Sequence, residues 1–366
     1  MCLQSIYTQV KRLLPRTRSL LRSVLSVSVV LVCACSKNDE DPIDNQLVNV
    51  LTVAFPPGSG FSGAGYDDTI LKAVCEAQAQ HHEMKVRFLH PKNLTEAQIQ
   101  LDAWLGANND KKALILCGPV YEPLVKNLHL SSGRILLLDS VQTFGEEGIS
   151  TLQLKRYGGA YLAGAVCAYF QNLILIKAFD GDRMMDTVAE GLLDGYSDNG
   201  KGDAGTLVLA NDPSGANMPD QLFNALYTAE EFGFVINNET LLAPVCGASR
   251  MGAYAFSNNY YTTVLGIGED CSAFSDILPL SLIFDLGAIV KDYIGRWLAS
   301  EPWPAHEDFG ISTGHVYLKL NPRYFEIAGT RMFYRSSPCL FSEDQYKAWE
   351  AQYKETALEK EASHAY

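Results

Sequence analysis

The chain has 366 residues, with 42 acidic against 29 basic side chains and a net charge of −13. A hydrophobic content of 47% is that of a globular protein with sizeable cores and excludes a disordered chain, and the length suits two lobes of ordinary domain size. So acidic a chain repels phosphate and excludes nucleic acid as a partner of its bulk field; an anionic ligand would need a local basic site.

The N-terminus carries Lys11, Arg12, Arg16, Arg18 and Arg22 and no acid, followed by an apolar run from Ser23 to Ala34. A basic segment before a short apolar one is the layout of a secretory signal, and the run is too short to span a bilayer. A buried helix would show polar positions at a 3.6-residue period, and this run is nearly uniform. Val32-Cys33-Ala34-Cys35 resembles a bacterial lipobox, which implies lipid attachment at Cys35, where a small residue precedes the cysteine. Residues 1–34 are then a signal peptide, 35–46 an acidic tether, and the location the cell envelope, on the periplasmic face or the outer cell surface. The acids after Cys35 resemble a surface-export signal, and an ordinary polar tether would have the same composition. Loss of residues 1–34 leaves 24 basic against 42 acidic residues, a net charge of −18.

Leu47 to Phe55 reads as a buried strand stopped by Pro56-Pro57, and a Gly-rich turn leads into a helix from Asp67 to His81. Met84 to Leu89 is a strand, Thr95 to Gly106 a helix with Thr95 as a plausible cap, and Ala113 to Cys117 and Arg134 to Asp139 are further strands. The alternation then restarts: strand Leu152 to Leu154, small-residue helix Gly158 to Gln171, strand Leu173 to Phe179, helix Met185 to Tyr196, strand Thr206 to Ala210, helix Pro219 to Phe232, strand Thr240 to Cys246, short helix Met251 to Asn258 and strand Val264 to Gly268. A long amphipathic helix from Asp285 to Ala299, a strand from Thr313 to Leu320 and a charged surface helix from Ser342 to about Lys360 close the chain. Strands alternating with helices predict parallel sheets covered by helices.

Ligands in such sheets sit at the carboxyl ends of strands and between domains, so the loops after strands hold the candidates. Gly58-Ser59-Gly60-Phe61-Ser62-Gly63 matches G-x-G-x-x-G, but the next strand ends in Leu89-His90-Pro91-Lys92 without the acid a dinucleotide site needs. It reads instead as a cleft loop. Phe61 and Tyr66 offer aromatic faces, and Asp67 either accepts a ligand hydrogen bond or caps the helix. Gly118, Asp139, Asp180, Arg250, Glu269 and Asp270 follow other strands; Arg183 and Arg250 are the nearby cations, and each could equally pair with a neighbouring acid. Loop acids also serve as turn formers. No G-x-S-x-G stands between a strand and a helix as a nucleophile elbow, and there is no P-loop or H-E-x-x-H, so no enzyme, cofactor or metal is expected. Cys75, Cys117, Cys167, Cys246, Cys271 and Cys339 mostly sit in apolar runs and read as buried free thiols, although an exported chain can form disulfides.

The segments GFSGAGYDDTILKAV (60–74), GGAYLAG (158–164), EGLLDGY (190–196), CGASRMG (246–252) and IGED (267–270) resemble the basic membrane protein family, over roughly residues 50–320. These are lipoproteins that serve as solute receptors of ABC transporters, the best understood binding purine nucleosides. The resemblance implies a periplasmic-binding-protein type I fold, α/β with two Rossmann-like lobes, parallel sheets and a hinge cleft. It places Tyr66 at the position that stacks on the base, Asp67 at a family Asn, and Asp270 at the Asp that binds a sugar hydroxyl. Two departures stand out: Gly63-Ala64-Gly65 replaces Asp-Lys-Ser, and no lysine follows Asp270 at the family position, the nearest acid and base being Asp285 and Lys291.

The expected function is therefore a substrate-binding lipoprotein that closes on a small polar solute, nucleoside-like by resemblance, and delivers it to an ABC permease. A sensing or scavenging surface lipoprotein without a permease is the alternative, and an NAD-dependent or hydrolytic enzyme a more distant one. One lobe is expected over 47–150 with 280–312, the other over 151–279 with 313–345, the crossovers falling near Ser150, Pro279 and Ser312, and 346–366 form a surface helix.

Overall fold

The computed structural model describes residues 43, 48–59, 65–237, 239–328 and 341–365. The expected signal peptide, Cys35, Phe61 and Cys339 lie outside these residues. Ile43, expected in the tether, is buried against the outer face of the first lobe.

The first lobe begins with β1 (Asn49–Ala54), α1 (Tyr66–Gln80), β2 (Met84–Leu89), α2 (Leu94–Gly106), β3 (Lys112–Leu116), the short α3 (Glu122–Val125), β4 (Arg134–Leu138) and β5 (Ile149–Leu154). The chain then enters the second lobe through α4 (Arg156–Val166), β6 (Asn172–Lys177), α5 (Arg183–Asn199), β7 (Asp203–Val208), α6 (Pro219–Tyr227), β8 (Thr240–Val245), α7 (Arg250–Tyr260), β9 (Thr263–Val264), β10 (Gly266–Gly268) and β11 (Leu280–Phe284). It returns through α8 (Leu286–Leu298) and β12 (His306–Phe309), crosses back into β13 (Val316–Leu320) and α9 (Pro322–Ala328), and ends in α10 (Glu343–Ser363).

The first sheet is parallel in the order β12-β5-β4-β3-β1-β2. Its strands are apolar on both faces because helices cover both. Leu51, Val53, Ala113, Ile115 and Leu136 point to the cluster containing α1 and α8, while Val50, Ala54, Leu114, Leu116 and Ile135 point to α2, the two-residue period of a strand. The second lobe carries β7-β6-β8-β9 and β10-β11-β13, where β13 is antiparallel to β11. The Leu265 amide donates to the Leu242 carbonyl at 2.8 Å, so β9 and β10 continue one interrupted strand beside β8, where a single strand is expected from the sequence.

Three expectations are corrected. β5 pairs with β4 and β12, so the first crossover falls at Lys155 rather than near Ser150. β11, expected in the first lobe, pairs with β10 and β13, which moves the second crossover to Asp285. Asn93, not Thr95, caps α2, its side chain accepting the Glu96 amide at 2.9 Å.

The pair α4–α5 is the tightest packing in the second lobe. Every residue of α4 is buried. A Cβ at Gly195 would lie 2.0 Å from the Tyr161 carbonyl oxygen, and one at Gly164 2.2 Å from that of Leu192. The glycines of GGAYLAG and EGLLDGY thus let two helix backbones touch. A single apolar cluster runs from β1 and β3 through α4 to β6 and β8, joining the lobes. Cys117, Cys167, Cys246 and Cys271 are buried free thiols.

Candidate functional site

The carboxyl ends of β1, β3, β4 and β5 bring together Tyr66, Asp67, Cys117, Gly118, Asp139 and Arg156. The turn after β3 places Gly118 at φ 112°, a conformation glycine adopts without strain. Asp139 ends β4 at φ 58°, a left-handed conformation Asp tolerates better than most residues. Its carboxylate is gripped by both terminal nitrogens of Arg156, at 2.5 and 3.0 Å. Arg156 also donates to the Leu154 carbonyl and lies over the Phe284 ring. Desolvation alone would weaken the protonated guanidinium, but Asp139 outweighs it and the Arg156 pKa is raised.

Tyr66 opens α1. Its hydroxyl is shielded from solvent and makes no hydrogen bond of ordinary geometry. Burial first, and then the charge of Asp139, push its pKa well above the usual tyrosine value. Asp67 follows in the first turn, 8% exposed. It does not cap the helix: Gly65 occupies the cap position without a side-chain bond. Desolvation pushes the Asp67 carboxyl up to about 6, against a pull from the Ser59 hydroxyl and with reinforcement from Asp68. The helix N-terminus favours the ionised form only in part. The Cys117 thiol beside them is raised by burial and by the charges of Asp67 and Asp139.

Across the lobe interface stands the N-terminus of α5. Asp182 caps it, accepting the Met185 amide at 2.9 Å, and its charge reaches Arg156. Pro119, Asp139, Gln153, Leu154 and Arg156 on one side and Arg183, Met184 and Thr187 on the other enclose a gap of about 20 Å³, room for little more than one water. Any larger solute enters only if the lobes part. Arg183 is exposed at the rim of this gap and is the cation that the second lobe presents to it. A larger depression at Ser272, Asn321, Pro322 and Arg323 lies past the end of β13, remote from these strand ends.

The other sequence candidates are engaged elsewhere. Asp180 pairs with Lys177 at 2.5 Å, and Lys177 also holds Asp186. Arg250, buried, pairs with Glu269 and donates to the Ile267 carbonyl. Asp270 accepts the Ser272 amide and hydroxyl and pairs with Lys319 of β13 at 2.7 Å; burial would raise its pKa, but Lys319 and Ser272 leave it lowered. Arg156, Gln153 and Thr187 escape the sequence reading; the one available signal for Arg156 is a cation directly after a buried strand and before a small-residue helix. No group of three metal-ligating side chains occurs among the described residues.

No family model matches the sequence, and no similar curated protein was found. Solved structures do match. An ABC transporter system solute-binding protein from Aeropyrum pernix K1 superposes with a TM-score of 0.61 at 12% identity, over 84% of this chain and 86% of that one. A transcriptional activator of the comK gene from Bacillus halodurans gives 0.60 at 12%, over 87% and 99%. An ABC transporter solute-binding protein from Bacillus halodurans with bound myo-inositol gives 0.53 at 14%, over 78% and 98%. At such identities the likeness speaks for architecture, and together with the parallel strand pairing in both lobes and the three crossovers it makes this chain a two-lobed α/β protein of the type I periplasmic-binding-protein fold.

Proposed function

We propose that the chain is the solute-binding component of an ABC-type transporter, anchored by lipid at Cys35, and that it captures a small polar solute between its lobes. The observation that carries this reading is the convergence of Tyr66, Asp67, Gly118 and Asp139, with Arg156, at the carboxyl ends of four parallel strands, facing the N-terminus of α5 across the lobe interface. That is where parallel sheets and domain interfaces place ligands. Purine nucleosides are the first ligand class to test, because the sequence resemblance puts Tyr66 at a base-stacking position. Sugars and polyols are the second, since a solved protein of this fold holds myo-inositol. The solute contacts belong to Tyr66, Asp67, Gly118 and Asp139 on one lobe and Arg183 on the other; Arg250, Glu269 and Asp270 hold the second lobe's loops through their ion pairs.

Thermal unfolding against nucleosides, bases, sugars, polyols and amino acids tests this. A ligand at a hundredfold excess over its Kd adds about 2.7 kcal/mol to the native state, a shift of several degrees. A rise with one class assigns the ligand; no rise with any class overturns the reading.

A further inference from the structure

The sequence suggests a surface helix at the C-terminus, yet the last turn of α10 is inserted at the hinge. Glu361 is 4% exposed. Its carboxylate accepts the Ile311 amide at 2.9 Å and the Ser312 hydroxyl at 3.4 Å, both in the third crossover. Glycines make room for it on two sides. A Cβ at Gly310 would lie 2.4 Å from a Glu361 carboxylate oxygen, and one at Gly158, just past the first crossover, 2.5 Å from the Glu361 Cβ. The next turn adds His364, whose ring stacks on Tyr157 at 3.9 Å, and Lys360 ties the helix to Asp198 of α5 at 3.1 Å.

The crossovers are themselves cross-linked. The Lys155 amide donates to the Phe309 carbonyl at 2.6 Å and its ammonium pairs with Asp308 at 2.7 Å, joining the first crossover to the end of β12, where the third begins. The Asp285 amide donates to the His315 carbonyl at 2.8 Å, joining the second to the third. A rotation of one lobe against the other must turn backbone dihedrals in these few residues. A buried carboxylate that accepts the Ile311 amide there opposes such a turn, because opening leaves either the amide or the carboxylate without its partner.

We propose that Glu361 is a positioning residue for lobe closure: α10 is a strap that docks its carboxylate between the first and third crossovers and sets the angle at which the lobes rest. This rests on the solute-binding reading only in taking lobe motion to be functional, and its test needs no solute, so the two can fail separately.

The full chain is compared with Glu361→Gln and Glu361→Ala by small-angle X-ray scattering and by hydrogen exchange at the Ile311 amide. In Glu361→Ala, Ile311 exchange should rise at least tenfold and the scattering profile should shift to larger dimensions. Glu361→Gln, whose amide oxygen still accepts, should stay near wild type. Unchanged exchange and scattering in Glu361→Ala, or equal effects in the two variants, overturn the proposal. If Glu361→Ala does not fold, Gly310→Ala, which displaces the carboxylate by its Cβ, is read in its place: the same opening supports the strap, and wild-type behaviour overturns it.

Discussion

Arg156, the first residue of the helix that enters the second lobe, is the bidentate partner of Asp139, which ends a strand of the first. Both side chains are nearly inaccessible, so removing one strands the other's charge. Arg156→Met or Asp139→Asn should each cost about 3–5 kcal/mol, and the double variant should cost clearly less than the sum. Denaturant unfolding of the four proteins checks this; additive losses would show that the two residues act independently.

Tyr66→Phe separates binding from folding. The hydroxyl is shielded from solvent beside Asp139 and has no hydrogen bond of ordinary geometry, so its loss should change stability by no more than about 1 kcal/mol, while weakening capture of whichever solute shifts the wild-type melt. Calorimetric titration with that solute is the check, and wild-type affinity would remove the hydroxyl from the site.

Asp67 predicts a pH dependence. Its folded pKa, about 6, lies above the ordinary 3.8. Between roughly pH 4 and 6 the folded chain therefore binds more protons than the unfolded one, and the Asp67 contribution to stability falls as pH rises through that window. The full cost, on the order of 3 kcal/mol, is present above pH 6. Asp67→Asn should remove it, stabilising the unliganded chain at pH 7–8 and flattening this part of the profile. Parallel wild-type and variant curves would refute the assignment.

Two glycine substitutions should have opposite signs. Gly195→Ala drives a Cβ into the Tyr161 carbonyl and should cost about 1–3 kcal/mol or more. Gly295→Ala, in α8 with open space around it, should stabilise by about 0.5–1 kcal/mol. Thermal melts check both, and the Gly195 variant tests the packing of α4 on α5.

Much of the fold is legible in the sequence. Runs such as Leu114-Ile115-Leu116 and Ile135-Leu136-Leu137 can be buried only in a sheet covered on both faces, and the spacing of Pro, Gly and capping residues separates them. The lobe assignment of Leu280–Phe284 is not legible, because an apolar strand does not state which sheet it joins; antiparallel pairing with β13 decides it. At the site, Tyr66, Asp67, Gly118 and Asp139 follow from the rule that loops after strands hold ligands. That Arg156 neutralises Asp139, and Lys319 neutralises Asp270, depends on partners 17 and 49 residues away, which no local pattern encodes. The tail misleads for a related reason: Tyr346, Ala357 and Glu361 are buried on an otherwise charged helix, too few positions to register as an apolar face.

The edge strand β12 joins β5 across some 150 residues of intervening chain, and α8 covers α1 only after the second lobe's β11 has been made. The first lobe's sheet therefore cannot be completed from its own leading segment. A chain emerging N-terminus first would leave β5 as an open edge until residue 309 is available, a topology of distant contacts that folds slowly and exposes an unpaired strand meanwhile. Fragments ending near residue 150 should for that reason aggregate rather than fold, and refolding of the whole chain should form the two lobes together.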